Sequence, residues 1–135
     1  MDERELRSYH RAAQPILQRT APIPAQSRIK ITPTVLDEIA WGVVLAYVAN
    51  TAHPAPNAIP SQVRNGEGPL PDEEVQAALA TLKSSAIKPR LQPRGPGLER
   101  FSAAVRRLLD AYGWAPSRAE QAAEELAAAL RTAWR

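Results

Sequence analysis

Residues 32–50 read TPTVLDEIAWGVVLAYVAN, and this stretch decides the fold. Thr32 is a typical helix N-cap, and Pro33 suits the first helical position because its missing N–H has no partner there anyway. Beyond them nearly every side chain is apolar, so the helix has no polar face and needs cover on all sides. The uninterrupted apolar run of residues 39–49 is half the length of about twenty residues that a membrane span needs. We therefore predict a buried central helix over about residues 34–50.

Proline and glycine divide the rest of the chain into four further helical segments, whose apolar residues lie three and four apart. Pro15 lies inside the first segment and predicts a bend or a break. Ser117 and Glu120 form a capping box for the last one. Residues 20–31 are predicted to be extended. The predicted helices cover about residues 2–19, 71–87, 98–112 and 117 onward, and long proline-rich loops cover residues 51–71 and 88–97.

These segments predict an all-α fold, a compact bundle of about five helices packed around the apolar central helix. The chain has 135 residues, a length typical of one domain. We therefore expect a single helical-bundle domain over residues 1–135. Fourteen arginines against three lysines are typical of a GC-rich bacterial genome.

Few residues are suited to catalysis. The chain has no cysteine, which excludes disulfides, thiol chemistry and cysteine-ligated metal. His10 and His53 lie on different segments and show no metal-ligand spacing. Asp37 and Glu38 have the composition of an acid/base pair, but their place near a helix N-terminus is explained by the helix dipole. We expect a protein that is not an enzyme and has no cofactor or metal.

The chain also shows no targeting segment. Its first residues, MDERE, are charged, and no apolar stretch of the kind a secretory signal needs follows them. We therefore expect a cytoplasmic protein without a membrane partner.

Charge is distributed unevenly along the chain, whose net charge is +3. Residues 32–82 carry −5, whereas residues 83–107 carry +6, and so dense a block of one sign indicates an interaction surface. The block runs through a stiff proline-rich loop onto one face of a helix, and a second basic stripe follows the first helix. Because guanidinium groups bind phosphate oxygens in pairs, we predict a phosphate-binding face. The candidate residues are Arg4, Arg7, Arg11, Lys83, Lys88, Arg90, Arg94, Arg100, Arg106 and Arg107.

Such a face binds the backbone of RNA or single-stranded DNA without reading its bases. Stacking partners for bases are few, because Tyr9, Phe101 and Tyr112 are predicted core residues and only Trp114 and Trp134 are candidates for exposure. Base-specific recognition is therefore not expected.

Three alternatives to nucleic-acid binding stay open. The basic side chains form a solvated face, or they pair with the acidic residues of 32–82, or they bind an acidic protein partner. A chain with no nucleic-acid role is also consistent with the last helix. There an alanine-rich stripe over residues 119–133 allows close packing against a second copy or a larger protein.

In size, helical layout and the basic block of residues 83–107, the whole chain resembles the small subunits of CRISPR ribonucleoprotein effectors. The resemblance implies a non-catalytic helical subunit that acts in antiviral defence. It further implies that the chain stacks beside backbone subunits, with further copies of itself, and steadies guide RNA or a target strand through basic surface residues.

Overall fold

The computed structural model describes residues 1–23, 29–85 and 88–133. Within them the chain forms six helices and one two-stranded antiparallel pair, which confirms the predicted all-α fold. None of these helices is both long and apolar enough to cross a membrane. The elements are α1 (Glu3–Thr20), α2 (Pro33–Thr51), β1 (Ala52–His53), α3 (Ser61–Arg64), α4 (Asp72–Ser84), β2 (Arg90–Leu91), α5 (Gly95–Ala111) and α6 (Pro116–Ala133).

Helix α2 is the centre of the fold, as predicted. The Thr32 hydroxyl oxygen accepts a hydrogen bond from the Val35 N–H at 3.2 Å and caps the helix. From Ile39 to Thr51 every residue except Trp41 is buried. Helices α1, α3, α4 and α5 all pack on α2, so its uniformly apolar surface finds a partner on every side.

Helices α1, α2, α5 and α6 form a ring in which neighbours run antiparallel. The Trp114 indole N–H, just before α6, donates to the Thr20 hydroxyl at the end of α1 (3.1 Å). Gly97, in the first turn of α5, lies against the Asn50 carbonyl in the last turn of α2. One end of the bundle therefore collects the starts of α1 and α5 with the ends of α2 and α6. We call it the strand end, because the β1–β2 pair lies there.

The loop of residues 51–71 is a strap that runs along α5 toward the other end. Gly66 has a positive φ of 70°, and a Cβ added to it would lie 1.9 Å from the Ala104 carbonyl oxygen. Further on, the Leu70 N–H donates to the Tyr112 hydroxyl at 2.9 Å. The absence of regular structure predicted for this loop is wrong for β1 and α3, whereas Gly66 and Gly68 allow the loop to lie close against α5.

Two local predictions about helix ends are corrected. Helix α1 continues through Pro15, so the predicted break is wrong. Pro15 and Arg11, whose carbonyl loses its N–H donor, are both exposed, so water can reach that carbonyl. Helix α6 begins at Pro116, and the Ala119 N–H donates to the Ala115 carbonyl (2.8 Å). Ser117 therefore lies inside the helix and is not its N-cap.

The aromatic core is largely as predicted. Tyr9, Phe101 and Tyr112 are buried. Trp114 is buried too, with 2% of its surface exposed, so its predicted exposure is wrong; its indole N–H is satisfied inside the protein by Thr20. Outside the described residues lie three segments on which predictions were made, namely part of the extended stretch (24–28), the end of the third predicted helix (86–87) and Trp134.

Candidate functional site

The basic loop crosses the strand end in an extended conformation. Residues 88–94 read KPRLQPR, and the four even-numbered residues are exposed while Pro89, Leu91 and Pro93 are half-buried. Pairing of the two short strands places Leu91 opposite Ala52. Because successive residues of an extended chain point to opposite faces, the loop turns its apolar side chains inward and its cations outward.

The start of α5 carries the last of these loop cations, Arg94, and adds one more, Arg100. Arg94 is the N-cap residue, with extended backbone and no side-chain capping bond. A Cβ on Gly97 would lie 2.6 Å from the Asn50 carbonyl oxygen and 3.8 Å from the Arg100 guanidinium, which places Arg100 beside the junction of α2 and α5. Both arginines are exposed.

The predicted candidates on α1 and α4 also reach the strand end, but carboxylates partly neutralise them. Glu3 pairs with Arg7 at 3.1 Å and with Lys83 at 3.6 Å. Arg4 lies 4.0 Å from Asp2. These pairs are all exposed, and pairs of this kind contribute little to stability.

Three other candidates lie away from the strand end. Arg107 donates to the Asn65 carbonyl at 2.7 Å and thereby fastens the strap to α5. Arg106 is exposed eleven residues beyond Gly95, about 16 Å along the helix at 1.5 Å per residue. Arg11 is exposed near the middle of α1. The predicted face is thus divided between the strand end and the flanks of the bundle.

Sequence reasoning missed Arg131, in the last turn of α6. It is exposed, and it lines a cavity at the strand end together with Pro89 and Leu91. The alternation of helix directions could have indicated this residue, because an α6 that runs antiparallel to α1 must end where α1 begins. We define the basic cluster as the five exposed cations of the strand end that have no ion pair among the described residues, namely Lys88, Arg90, Arg94, Arg100 and Arg131.

The acidic block of residues 32–82 does not neutralise the basic cluster in the described part of the chain. Of the seven cations in residues 83–107, Lys83 is the one with a carboxylate partner, and that partner is Glu3. The three acidic residues that open α4 lie at its N-terminus, about 18 Å from its C-terminal end beside the strand end at 1.5 Å per residue. This exceeds the Debye length of about 8 Å at physiological salt.

Neither histidine lies in a group of three or more metal-ligating side chains among the described residues. The His10 ring nitrogen Nε2 lies 2.9 Å from an Asp37 carboxylate oxygen, and its ring packs on Trp41 with centroids 4.2 Å apart. Asp37 therefore joins α2 to α1. This role differs from the two that its sequence position suggested, a member of an acid/base pair and a partner of the helix dipole. His53 is exposed opposite Arg90 in the strand pair.

Buried tyrosines form the core beneath the strand end. Tyr9 and Tyr47 meet edge to face with ring centroids 5.3 Å apart, and Phe101 continues the stack on Tyr47 at 5.2 Å. Burial raises the pKa of Tyr47 to about 12. Burial and the Glu5 carboxylate, to which its hydroxyl donates at 2.9 Å, raise the pKa of Tyr9 as well. Both hydroxyls therefore keep their protons at neutral pH.

Most of the alanine-rich stripe of α6 packs inside the bundle. Ala119, Ala122, Ala123, Leu126 and Leu130 are buried, and Ala133 at the end of the stripe is half-buried. Because α6 packs against both α1 and α5, the small side chains allow close helix packing within this chain.

The site as a whole is a patch of unpaired positive charge on a rigid helical frame. Among the described residues no three His, Asp or Glu side chains come together as a metal site. What such a patch can do chemically is bind anions, through guanidinium and ammonium donors that water already solvates. Comparisons of the chain with models of protein families, with curated proteins and with solved structures each give no match.

Proposed function

We propose that this chain is a non-catalytic subunit of a cytoplasmic ribonucleoprotein, and that its basic cluster holds the phosphate backbone of RNA or single-stranded DNA. The observation that carries the proposal is the convergence of five unpaired cations from three separate segments on one end of the bundle. The resemblance to CRISPR small subunits extends the proposal to backbone subunits, and further copies of the chain, as protein partners.

The positions of the charges support backbone binding over base reading. Four of the five cations are arginines, whose planar fork matches two phosphate oxygens. Arg90 and Arg94 lie on the two sides of a tight turn in which the Arg94 N–H donates to the Gln92 carbonyl at 2.9 Å, so one nucleic-acid strand can meet both. All five side chains are exposed, so binding requires no rearrangement of the core.

The acidic block of residues 32–82 supports the proposal that nucleic acid and protein subunits bind to different parts of the surface. Acidic residues open α4 at its far end from the strand end, and their charge repels a phosphate backbone. A strand held on the basic cluster therefore leaves that region free for the protein subunits of the complex.

The test compares two variants with the same change in charge. One neutralises the basic cluster at Arg90→Gln, Arg94→Gln and Arg100→Gln, and is called the cluster variant. The control neutralises three exposed arginines elsewhere, at Arg11→Gln, Arg106→Gln and Arg118→Gln. Binding is measured by the fluorescence anisotropy of labelled single-stranded RNA and DNA of mixed sequence.

We expect the cluster variant to bind about 50-fold more weakly at about 0.15 M salt, because each lost phosphate contact forfeits the release of about 0.7 counterion. The control variant should stay within about twofold of the natural chain. Equal losses in both variants would show that only net charge matters, and unchanged binding by the cluster variant would remove the proposed interface. Circular dichroism checks that both variants keep their helices.

A further inference from the structure

A cavity of about 250 Å³ lies at the strand end, between the inward side of the basic loop and the helices. From the loop it is lined by Pro89, Leu91 and Pro93, and from the bundle by the edge-to-face pair of Tyr9 and Tyr47. Its volume is below the range of about 300–1,000 Å³ that is usual for drug-sized ligands. The walls thus combine apolar and aromatic side chains with polar groups, and the space suits a group of one or two rings.

Three polar groups also line this cavity. Tyr47 is 2% exposed, and its hydroxyl has no hydrogen-bond partner among the described residues. Glu5 accepts a hydrogen bond from Tyr9 and keeps its second carboxylate oxygen for another donor. Arg131 lines the same space, and no ion pair joins it to Glu5 in the described part of the chain. The cavity therefore offers one carboxylate acceptor and two kinds of donor.

This mixture of groups restricts the occupant. The cavity is open to solvent, and a purely apolar ligand would displace water from the Glu5 carboxylate and the Arg131 guanidinium without replacing its hydrogen bonds, which is unfavourable. A simple anion would meet the charge of Glu5, and a simple cation that of Arg131. A neutral, flat group that carries both donors and acceptors satisfies all three polar groups, and nucleobases are groups of this kind.

We propose that the cavity binds a single nucleobase, while the phosphate of the same nucleotide lies against Lys88 and Arg90 at its rim. Lys88 and Arg90 alternate with Pro89 and Leu91, so their exposed side chains leave the loop on the face opposite the cavity. A nucleotide whose base enters the cavity reaches them by passing its phosphate over the edge of the loop. The base would lie among aromatic and apolar side chains with its polar edge toward Glu5, which is the way that extruded bases are held. The phosphate half of this assignment rests on the proposed function; the base half does not.

The probes are the four nucleoside 5′-monophosphates, ribose 5-phosphate as a base-free control, and a short single-stranded oligonucleotide. Each is titrated into the full chain by calorimetry. Two variants change the cavity. Leu91→Trp fills it, and Tyr47→Phe removes one hydroxyl and conserves shape. The cluster variant changes only the rim and the surface around it.

We expect at least one mononucleotide to bind more than tenfold tighter than ribose 5-phosphate. Leu91→Trp should abolish that preference, and Tyr47→Phe should weaken it about 3–10-fold, the effect of one neutral hydrogen bond. If ribose 5-phosphate binds as well as every mononucleotide, or if Tyr47→Phe and Leu91→Trp both leave mononucleotide affinity unchanged, the proposal is wrong. Should Leu91→Trp fail to fold, the base-free probe and Tyr47→Phe decide alone.

The oligonucleotide distinguishes the source of the base. If the base belongs to a bound strand, Leu91→Trp weakens oligonucleotide and mononucleotide binding by the same factor. If the ligand is a free nucleotide, only mononucleotide binding falls. Failure of the proposed function gives a different pattern, in which the cluster variant binds the oligonucleotide as tightly as the natural chain does while the cavity variants still lose the mononucleotide.

Discussion

Gly66→Ala tests the packing of the strap on α5. Gly66 has a φ of 70°, and an added Cβ would lie 1.9 Å from the Ala104 carbonyl oxygen. Gly95 provides a matched control, since it has a φ of 59° and open space around the position of its Cβ. Both substitutions place an L side chain in the left-handed region, and only Gly66→Ala also forces two segments apart.

The expected magnitudes follow from these two contributions. Left-handed backbone destabilises a residue with a Cβ by about 1–2 kcal/mol, and this applies to both variants. A contact of 1.9 Å with a backbone atom cannot be relieved by a side-chain rotation, so the strap must move, and overpacking of this kind destabilises by about 1–3 kcal/mol more. We expect Gly66→Ala to lower the free energy of unfolding by about 2–5 kcal/mol and Gly95→Ala by about 1–2 kcal/mol.

The assay is urea unfolding followed by circular dichroism at 222 nm, a wavelength that reports helix, with the midpoint and the slope fitted separately. The structural reasoning requires that the two variants differ by more than about 1 kcal/mol at an unchanged slope. Equal midpoints for Gly66→Ala and Gly95→Ala would refute it, because they would show that the strap does not rest on Ala104.

The remaining predictions concern salt, alkaline pH and the α1–α6 junction. Five phosphate contacts predict that the logarithm of the affinity for a single strand falls with the logarithm of the salt concentration with a slope of about −3.5. Affinity should therefore fall about 100-fold between about 50 and 200 mM salt for the natural chain, and about sevenfold for the cluster variant. Equal slopes for the two proteins in anisotropy titrations would contradict this. Burial raises the pKa of Tyr47 to about 12 from 10.0 for the ordinary phenol. Above pH 10 the phenol therefore ionises in the unfolded chain before it does in the folded one. The free energy of unfolding should fall by about 2–3 kcal/mol between pH 10 and pH 12 for this reason. Urea midpoints should therefore fall less steeply above pH 10 in Tyr47→Phe than in the natural chain, and parallel curves would show that the phenol is not buried in the fold. Trp114→Phe should lower the free energy of unfolding by about 1–3 kcal/mol, because the hydrogen bond to Thr20 is lost. A double-mutant cycle with Thr20→Val measures the coupling between the two side chains. A coupling energy near zero would show that the hydrogen bond is absent.

The central helix could be predicted because its sequence is compatible with only one position in the fold. A segment that is apolar on every side can only lie at the middle of a helical bundle, and Thr32 and Pro33 mark its start. The errors came from local signals that tertiary structure overrides. Pro15 continues a helix because it lies on the exposed side, and Ser117 does not cap one because Pro116 already occupies the first helical turn.

The candidate site could be predicted only in part, for a related reason. The outward direction of Lys88, Arg90 and Arg94 follows from the alternation of residues 88–94, which is visible in the sequence. The partner of Arg107 is the Asn65 carbonyl, 42 residues away along the chain, and no local pattern indicates it. Arg131 was missed because its neighbours in sequence are alanine, leucine and threonine, so no run of basic residues marks it, while its neighbours in space include the loop residues Pro89 and Leu91.

The first turns of helices α4 and α5 differ in a way that bears on the origin of the basic cluster. Helix α4 carries Asp72, Glu73 and Glu74 in its first turn, where negative charge is stabilised by the positive end of the helix dipole. Helix α5 has no acidic residue in its first turn, and Arg94 is its N-cap. Positive charge at that position opposes the dipole and destabilises the helix. The same chain thus follows the rule at α4 and breaks it at α5, beside cations that have no ion pair among the described residues. Under the proposed function, a phosphate at the start of α5 would be attracted by the dipole and by the guanidinium groups together. The proposed phosphate-binding surface therefore accounts for a charge that is unfavourable for the helix itself.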